Sequence, residues 1–163
     1  MRKYILCLLS VLLLGACKKT SNAPVNFSCY VNGAQLQGNA KTLFNGSAFQ
    51  ILMNGPNGES TALTWYSMYT DSAIGRVSGT YTIPAIELPP AVLAGSFAAP
   101  YGQAVYYTGT GNNLGGTITI TSNTGSGGTI SGTYSFNALY QNGGFVDTVH
   151  ITRGTFTNVP MTY

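Results

Sequence analysis

Charge is what this chain has least of. Asp, Glu, Lys and Arg make up 7% of its 163 residues, against roughly a quarter in an ordinary globular protein. After Cys17, five basic residues (Lys18, Lys19, Lys41, Arg76, Arg153) face four acids (Glu59, Asp71, Glu87, Asp147), a net charge of +1. A surface this close to neutral offers no electrostatic footprint for nucleic acid, which removes that class of partner. The acids never fall within ten residues of one another, whereas calcium needs several oxygens gathered together. Zinc needs His and Cys at close spacing, and the chain has a single histidine, His150. No metal or other cofactor is expected.

Catalytic groups are scarce for the same reason. Asp147 and His150 lie three apart in a stretch that alternates like a strand, so they face opposite sides of it and form no local dyad. No nucleophile-elbow sequence is present to bring a serine to His150. His150 alternates with Val149 and Ile151 and reads as a solvent-facing side chain. Gly125-Ser126-Gly127-Gly128 is glycine-rich but lacks the lysine and the strand-to-helix setting of a phosphate loop. The sequence therefore reads as that of a protein that is not an enzyme.

The amino terminus carries the most specific signal. Met1-Arg2-Lys3 is a short positive segment, followed by eleven uncharged residues from Tyr4 to Leu14. That length fits the apolar core of a signal peptide and falls short of the roughly 20 residues a membrane-spanning helix needs. The run ends in Leu14-Gly15-Ala16-Cys17, which resembles the lipobox of bacterial lipoproteins. There the small residues admit the peptidase and the cysteine thiol takes the lipid. The resemblance implies a signal peptide over 1–16, a lipid on Cys17 and a flexible tether over 17–25, with a single domain over 26–163. Several acyl chains make such an anchor effectively permanent, since each buried methylene contributes about 0.8 kcal/mol. With Cys17 lipidated, Cys29 is left without an internal partner. It shares an inward face with Phe27 and Val31 and reads as a buried thiol, the alternative being an intermolecular bridge.

Period-two patterning runs through nearly the whole of the rest. Phe27–Val31 leads into Asn32-Gly33 and Ala34-Gln35-Leu36, a hairpin signal because both centres of a type I′ turn need positive φ. Asn45-Gly46 repeats the cue before a strand at Ala48–Met53. Asn54–Gly58 turns into a strand from Thr61 to Tyr69. Further strands are predicted at Gly79–Ile83, Tyr106–Thr108 and around Ile118 and Ile120. Ile130, Gly132, Tyr134, Phe136, Ala138 and Tyr140 form one face of a long strand. Gln141-Asn142-Gly143-Gly144 reverses it, with Tyr140 expected opposite Phe145, Phe136 opposite Val149, and Tyr134 opposite Ile151. Phe156 falls on the wrong parity, which places a bulge at Gly154. Residues 84–101 hold four prolines and no alternation, and Pro90–Gly95 has the early proline and closing glycine of one helical turn. About eight or nine strands with short turns give an all-β, antiparallel fold, a β-sandwich in preference to a closed β-barrel.

Gly79-Thr80-Tyr81, Gly116–Thr121, Ile130–Phe136, Ile151–Pro160 and Phe27–Gly33 together resemble a family of small Bacteroidota outer-membrane lipoproteins with a β-rich domain of unknown function. The resemblance implies an envelope location and no particular activity. In that group, surface display resembles a rule of acidic residues just after the lipidated cysteine. Lys18-Lys19-Thr20-Ser21-Asn22 has none, which points to the periplasmic face of the outer membrane.

Two binding readings follow. Trp65 and Tyr69 share a strand face, and Tyr101, Tyr106 and Tyr107 cluster beside the proline-rich stretch. Sugar rings stack on such aromatic faces, so these residues suit a glycan site, although for Trp65 itself a core role is the favoured reading. Val92, Leu93 and Phe97 would form an apolar docking patch for another envelope component if exposed, or would cap an open end of the fold. Docking is the leading reading. Asp71-Ser72-Ala73 and Asp147-Thr148-Val149 resemble a short O-glycosylation pattern of exported proteins of this group, Ser72 being the better placed.

Overall fold

The computed structural model describes residues 24–44, 48–66, 78–83, 93–109 and 114–162. Among them are ten strands: β1 (Phe27–Val31), β2 (Ala34–Phe44), β3 (Ala48–Asn54), β4 (Ser60–Tyr66), β5 (Gly79–Ile83), β6 (Leu93–Ala98), β7 (Val105–Tyr107), β8 (Gly115–Asn123), β9 (Thr129–Asn142) and β10 (Phe145–Pro160). One 3-10 turn, Pro100–Gly102, joins β6 to β7. All pairings are antiparallel, in a single sheet ordered β10-β1-β2-β3-β4-β6-β7-β9-β8-β5. β10 also pairs with β9, so the sheet rolls up and partly closes into a ring. The closure is partial because β7 meets β9 only at Tyr107 and Leu139. The rest of that β9 edge is taken by β8.

Alternation decides which face turns inward. In β1 Phe27 and Cys29 are buried; in β8 Ile118 and Ile120; in β9 Ile130, Tyr134, Phe136 and Ala138. Their outward neighbours are mostly Thr, Ser and Asn, which satisfy solvent without charge. The interior is completed by Ile51, Met53, Leu63, Trp65, Leu93, Phe97, Ile151 and Phe156. The β1–β2 turn carries positive φ at both centres, 50° at Asn32 and 87° at Gly33, as the type I′ geometry requires.

β10 shows how the sheet is bent. Its register against β9 shifts once between Ile151 and Gly154 and again between Phe156 and Val159. Each shift inserts one extra residue, and each bulge has a left-handed residue, Arg153 (φ 50°) or Asn158 (φ 51°). Bulges of this kind raise the local twist and curl a sheet toward closure. The first is the bulge expected at Gly154. At the second, buried Val159 and Met161 fall off the parity of Phe156.

Two expectations are corrected. Residues 93–95, expected to end a helical turn begun at Pro90, belong instead to the strand Leu93–Ala98, held between β4 and β7. Residues 84–92 lie outside the described residues. Pairing on both edges outweighs the local proline–glycine cue, and Gly95 serves a different purpose, since a Cβ there would sit 3.1 Å from the Phe136 ring. The β9–β10 register is also two residues tighter than expected. Asn142 pairs with Phe145, Tyr140 with Asp147, Ala138 with Val149 and Phe136 with Ile151. Gly143 (φ 56°) and Gly144 (φ 90°) alone make the turn. A two-residue slip preserves parity, so the burial pattern could not separate the two registers.

Candidate ligand-binding cleft

The β6–β7 connection and the β9–β10 hairpin meet at one end of the ring. Pro100 sets the backbone for the 3-10 turn, and the Gly102 N–H donates to the Ala99 carbonyl at 3.1 Å. The Ala99 N–H donates to the Ala104 carbonyl at 2.9 Å, closing the loop at its base. Between them Tyr101 is forced to φ 58°, ψ 21°, a region that bulky residues rarely enter. Its ring is 82% exposed.

Beside this loop lies a cleft of about 410 Å³ lined by residues that include Gln103, Val105, Tyr107, Leu139, Tyr140 and Gln141. None of its described lining residues is charged. Tyr107 is 53% exposed. Tyr140 is half-buried, accepts a hydrogen bond from the Asn142 amide at 3.1 Å, and packs edge-on to Phe145 with centroids 6.3 Å apart.

Tyr106 holds the two sides of the cleft together. Its ring lies 5.9 Å from Phe97 and 5.6 Å from Tyr140. Its hydroxyl donates to Asp147 Oδ2 at 2.7 Å. That bond, then burial and the carboxylate charge, push the hydroxyl up to about 12. Asp147 Oδ1 also accepts from the Thr148 N–H at 2.9 Å. A chain of aromatic rings therefore runs from buried Phe97 through Tyr106 and Tyr140 to exposed Phe145.

Of the glycan candidates, Tyr107 lines this cleft, Tyr106 packs against its Tyr140, and Tyr101 stands on the adjoining turn. Trp65 does not. It is buried, 5.6 Å from Phe49, because it shares inward parity with Thr61 and Leu63. Leu93 and Phe97 are buried as well. The apolar docking patch expected of Val92, Leu93 and Phe97 is thus corrected at two of its three members, which belong to the core. Val92, Tyr69, Ser72 and Cys17 lie outside the described residues.

Tyr140, Gln103 and Gln141 were missed by sequence reasoning. Tyr140 looked like one more inward residue of β9, and only the pairing of Tyr107 with Leu139 brings Gln141 beside β7. His150 is exposed, its ring Nδ1 2.9 Å from Asn137 Oδ1, while Asp147 is engaged with Tyr106. No group of three His, Cys, Asp or Glu able to hold a metal ion occurs among the described residues. No helix among them is long and apolar enough to cross a membrane. The remaining cysteine, Cys29, is a buried free thiol, and burial pushes its pKa up.

No curated protein and no solved structure matches the chain. A family described as a domain of unknown function, DUF6252, matches residues 78–160. That stretch spans β5 to β10 and so contains both sides of the cleft, leaving β1 to β4 to complete the ring. The chain belongs to the DUF6252 family.

Proposed function

We propose that this chain is a non-enzymatic binding module of the bacterial cell envelope, and that its cleft takes a neutral glycan. The reading keeps the lipid on Cys17 and the periplasmic face of the outer membrane, supported by Leu14-Gly15-Ala16-Cys17 and by the absence of acids just after it. The observation that carries the ligand class is exposed Tyr107 in a cleft with no charge among its described lining, edged by Gln103 and Gln141 and adjoining the turn that bears exposed Tyr101. Sugar C–H faces stack on tyrosine rings. Amide side chains both donate and accept, which matches hydroxyls. Tyrosine also orders few rotors on binding.

Calorimetric titration of the protein in detergent micelles with a panel of neutral oligosaccharides tests this. At least one should bind, and Tyr107→Ala should weaken it by up to roughly tenfold, in line with the 0.5–1.5 kcal/mol of an aromatic contact. No binding across the panel would refute the reading.

Docking on an envelope protein keeps one specific support, moved to a new place. Phe145 and Val146 at the β9–β10 tip are 62% and 56% exposed. In-cell crosslinking should then capture a partner that Phe145→Ser with Val146→Ser loses. Capture unaffected by both changes would dismiss the tip.

A further inference from the structure

Arg153 stands out in a chain with so little charge. It is the extra residue of the first β10 bulge, with φ 50°. Bulges re-aim side chains, and this one is locked in place. A Cβ at the next residue, Gly154, would lie 2.5 Å from the Tyr134 ring, so the strand cannot slip to relieve the left-handed backbone. The exposed guanidinium carbon sits 5.6 Å from the centroid of the Tyr30 ring. Such a contact holds the cation without using its N–H groups, of which arginine has five. Among the described residues no carboxylate pairs with it.

Beside Arg153 a groove of about 310 Å³ crosses β8, β9 and β10. Its lining includes Thr117, Thr133, Ser135, Thr155 and Gly154. The hydroxyls come from neighbouring strands in register, Thr117 opposite Ser135 and Thr133 opposite Thr155. Thr155 shares a 3.0 Å hydrogen bond with Ser28, and the other three have no hydrogen-bond partner among the described residues. Among the described residues no acid lines the groove, and none lines both it and the tyrosine cleft.

A fixed cation with free forked donors, set against several hydroxyls with no acid among the described lining, is the chemistry that receives an oxyanion. We propose that this groove is an anion-binding site, taking a carboxylate, sulfate or phosphate group on Arg153 with the threonine and serine hydroxyls as further donors. The site stands apart from the neutral-glycan reading of the cleft and does not depend on it.

Nuclear magnetic resonance titration of the full chain in micelles, at matched ionic strength, tests it with sodium sulfate, sodium phosphate and glucuronate against chloride and glucose. At least one oxyanion should give saturable shifts at Arg153, Thr133 and Thr155. The anion that binds most tightly names the source, an acidic sugar, a sulfate or a phosphate. Asparagine accepts a left-handed backbone, so Arg153→Asn keeps the bulge while removing the charge. It should weaken binding at least about tenfold, the worth of one charged hydrogen bond. Arg153→Lys should weaken it less, and Thr133→Val should weaken it measurably should Arg153→Asn fail to fold. No saturable shift with any oxyanion, or undiminished affinity in Arg153→Asn or Thr133→Val, would overturn the proposal. Tyr107→Ala should leave these shifts unchanged, which separates this site from the cleft.

Discussion

The Tyr106 hydroxyl donates to Asp147 at 2.7 Å, tying β7 to β10 across the end of β9 where the ring is least well paired. β7 touches β9 at one residue pair, so a side-chain tie does there what a ladder of backbone bonds does elsewhere. Removing it with Tyr106→Phe should destabilise the fold by about 1–2 kcal/mol, since the bond is charge-assisted but partly solvated. The sign of the pH effect follows from the raised hydroxyl. Its folded value of about 12 exceeds the ordinary 10.0, so its contribution is complete below pH 10 and is lost as pH rises through 12. Urea midpoints between pH 9 and 12 should fall more steeply for the native protein than for Tyr106→Phe. Parallel curves would show that the bond contributes nothing.

Tyr101 makes a prediction of opposite sign. A tyrosine at φ 58° pays about 1 kcal/mol or more for the left-handed region, a strain found where a site requires a side chain in one place. Tyr101→Asn should therefore raise the thermal midpoint while weakening binding of any oligosaccharide the cleft accepts. A lowered midpoint would mean that the ring supports the loop rather than a ligand.

The sequence carries the all-β fold, the buried faces of β1, β8 and β9 and the first bulge in β10, because burial on one face of a strand forces period two. It does not carry closure. Whether Tyr107 meets Leu139 depends on how far β10 curls, and that depends on bulges at Arg153 and Asn158, neither of which is a glycine. Nor does parity distinguish a four-residue from a two-residue turn at Gly143-Gly144, and the pairing of Tyr107 with Leu139 that sets Gln141 at the cleft leaves no mark in the alternation. Trp65 was legible as core from its inward neighbours Thr61 and Leu63. The tyrosines at 101, 106 and 107 were legible as a cluster by proximity alone, but their partner Tyr140 comes from across the sheet.

The bulge itself can be tested at Gly154. A methyl group there would meet the Tyr134 ring at 2.5–2.6 Å, and that ring is wedged near Phe136 and Phe156. Gly154→Ala should cost about 1–3 kcal/mol by overpacking, read from chemical denaturation. Gly154→Ala with Tyr134→Leu should recover part of the loss by removing the ring. An additive double variant would show that the glycine is needed for its backbone and not for the space it leaves.

The same ring carries the last prediction, because Tyr134 is buried with its hydroxyl unpaired. Neither that hydroxyl nor Thr61 Oγ1 has a hydrogen-bond partner by geometry, although both approach the Cys29 thiol closely enough to influence it. The contact with sulfur is therefore weaker than a regular hydrogen bond. Burial drives the hydroxyl well above its ordinary value, so it stays neutral at any physiological pH. A buried hydroxyl without a good acceptor costs about 1–3 kcal/mol of desolvation, while the ring around it fills core volume. Tyr134→Phe keeps the volume and removes the unpaired atom, so it should be neutral or stabilising by up to about 1 kcal/mol. Tyr134→Ala should cost about 3–5 kcal/mol through the cavity it leaves. If Tyr134→Phe instead destabilised the protein by as much as a full hydrogen bond, the hydroxyl would have to be held by a partner such as a trapped water bridging Thr61 and Cys29.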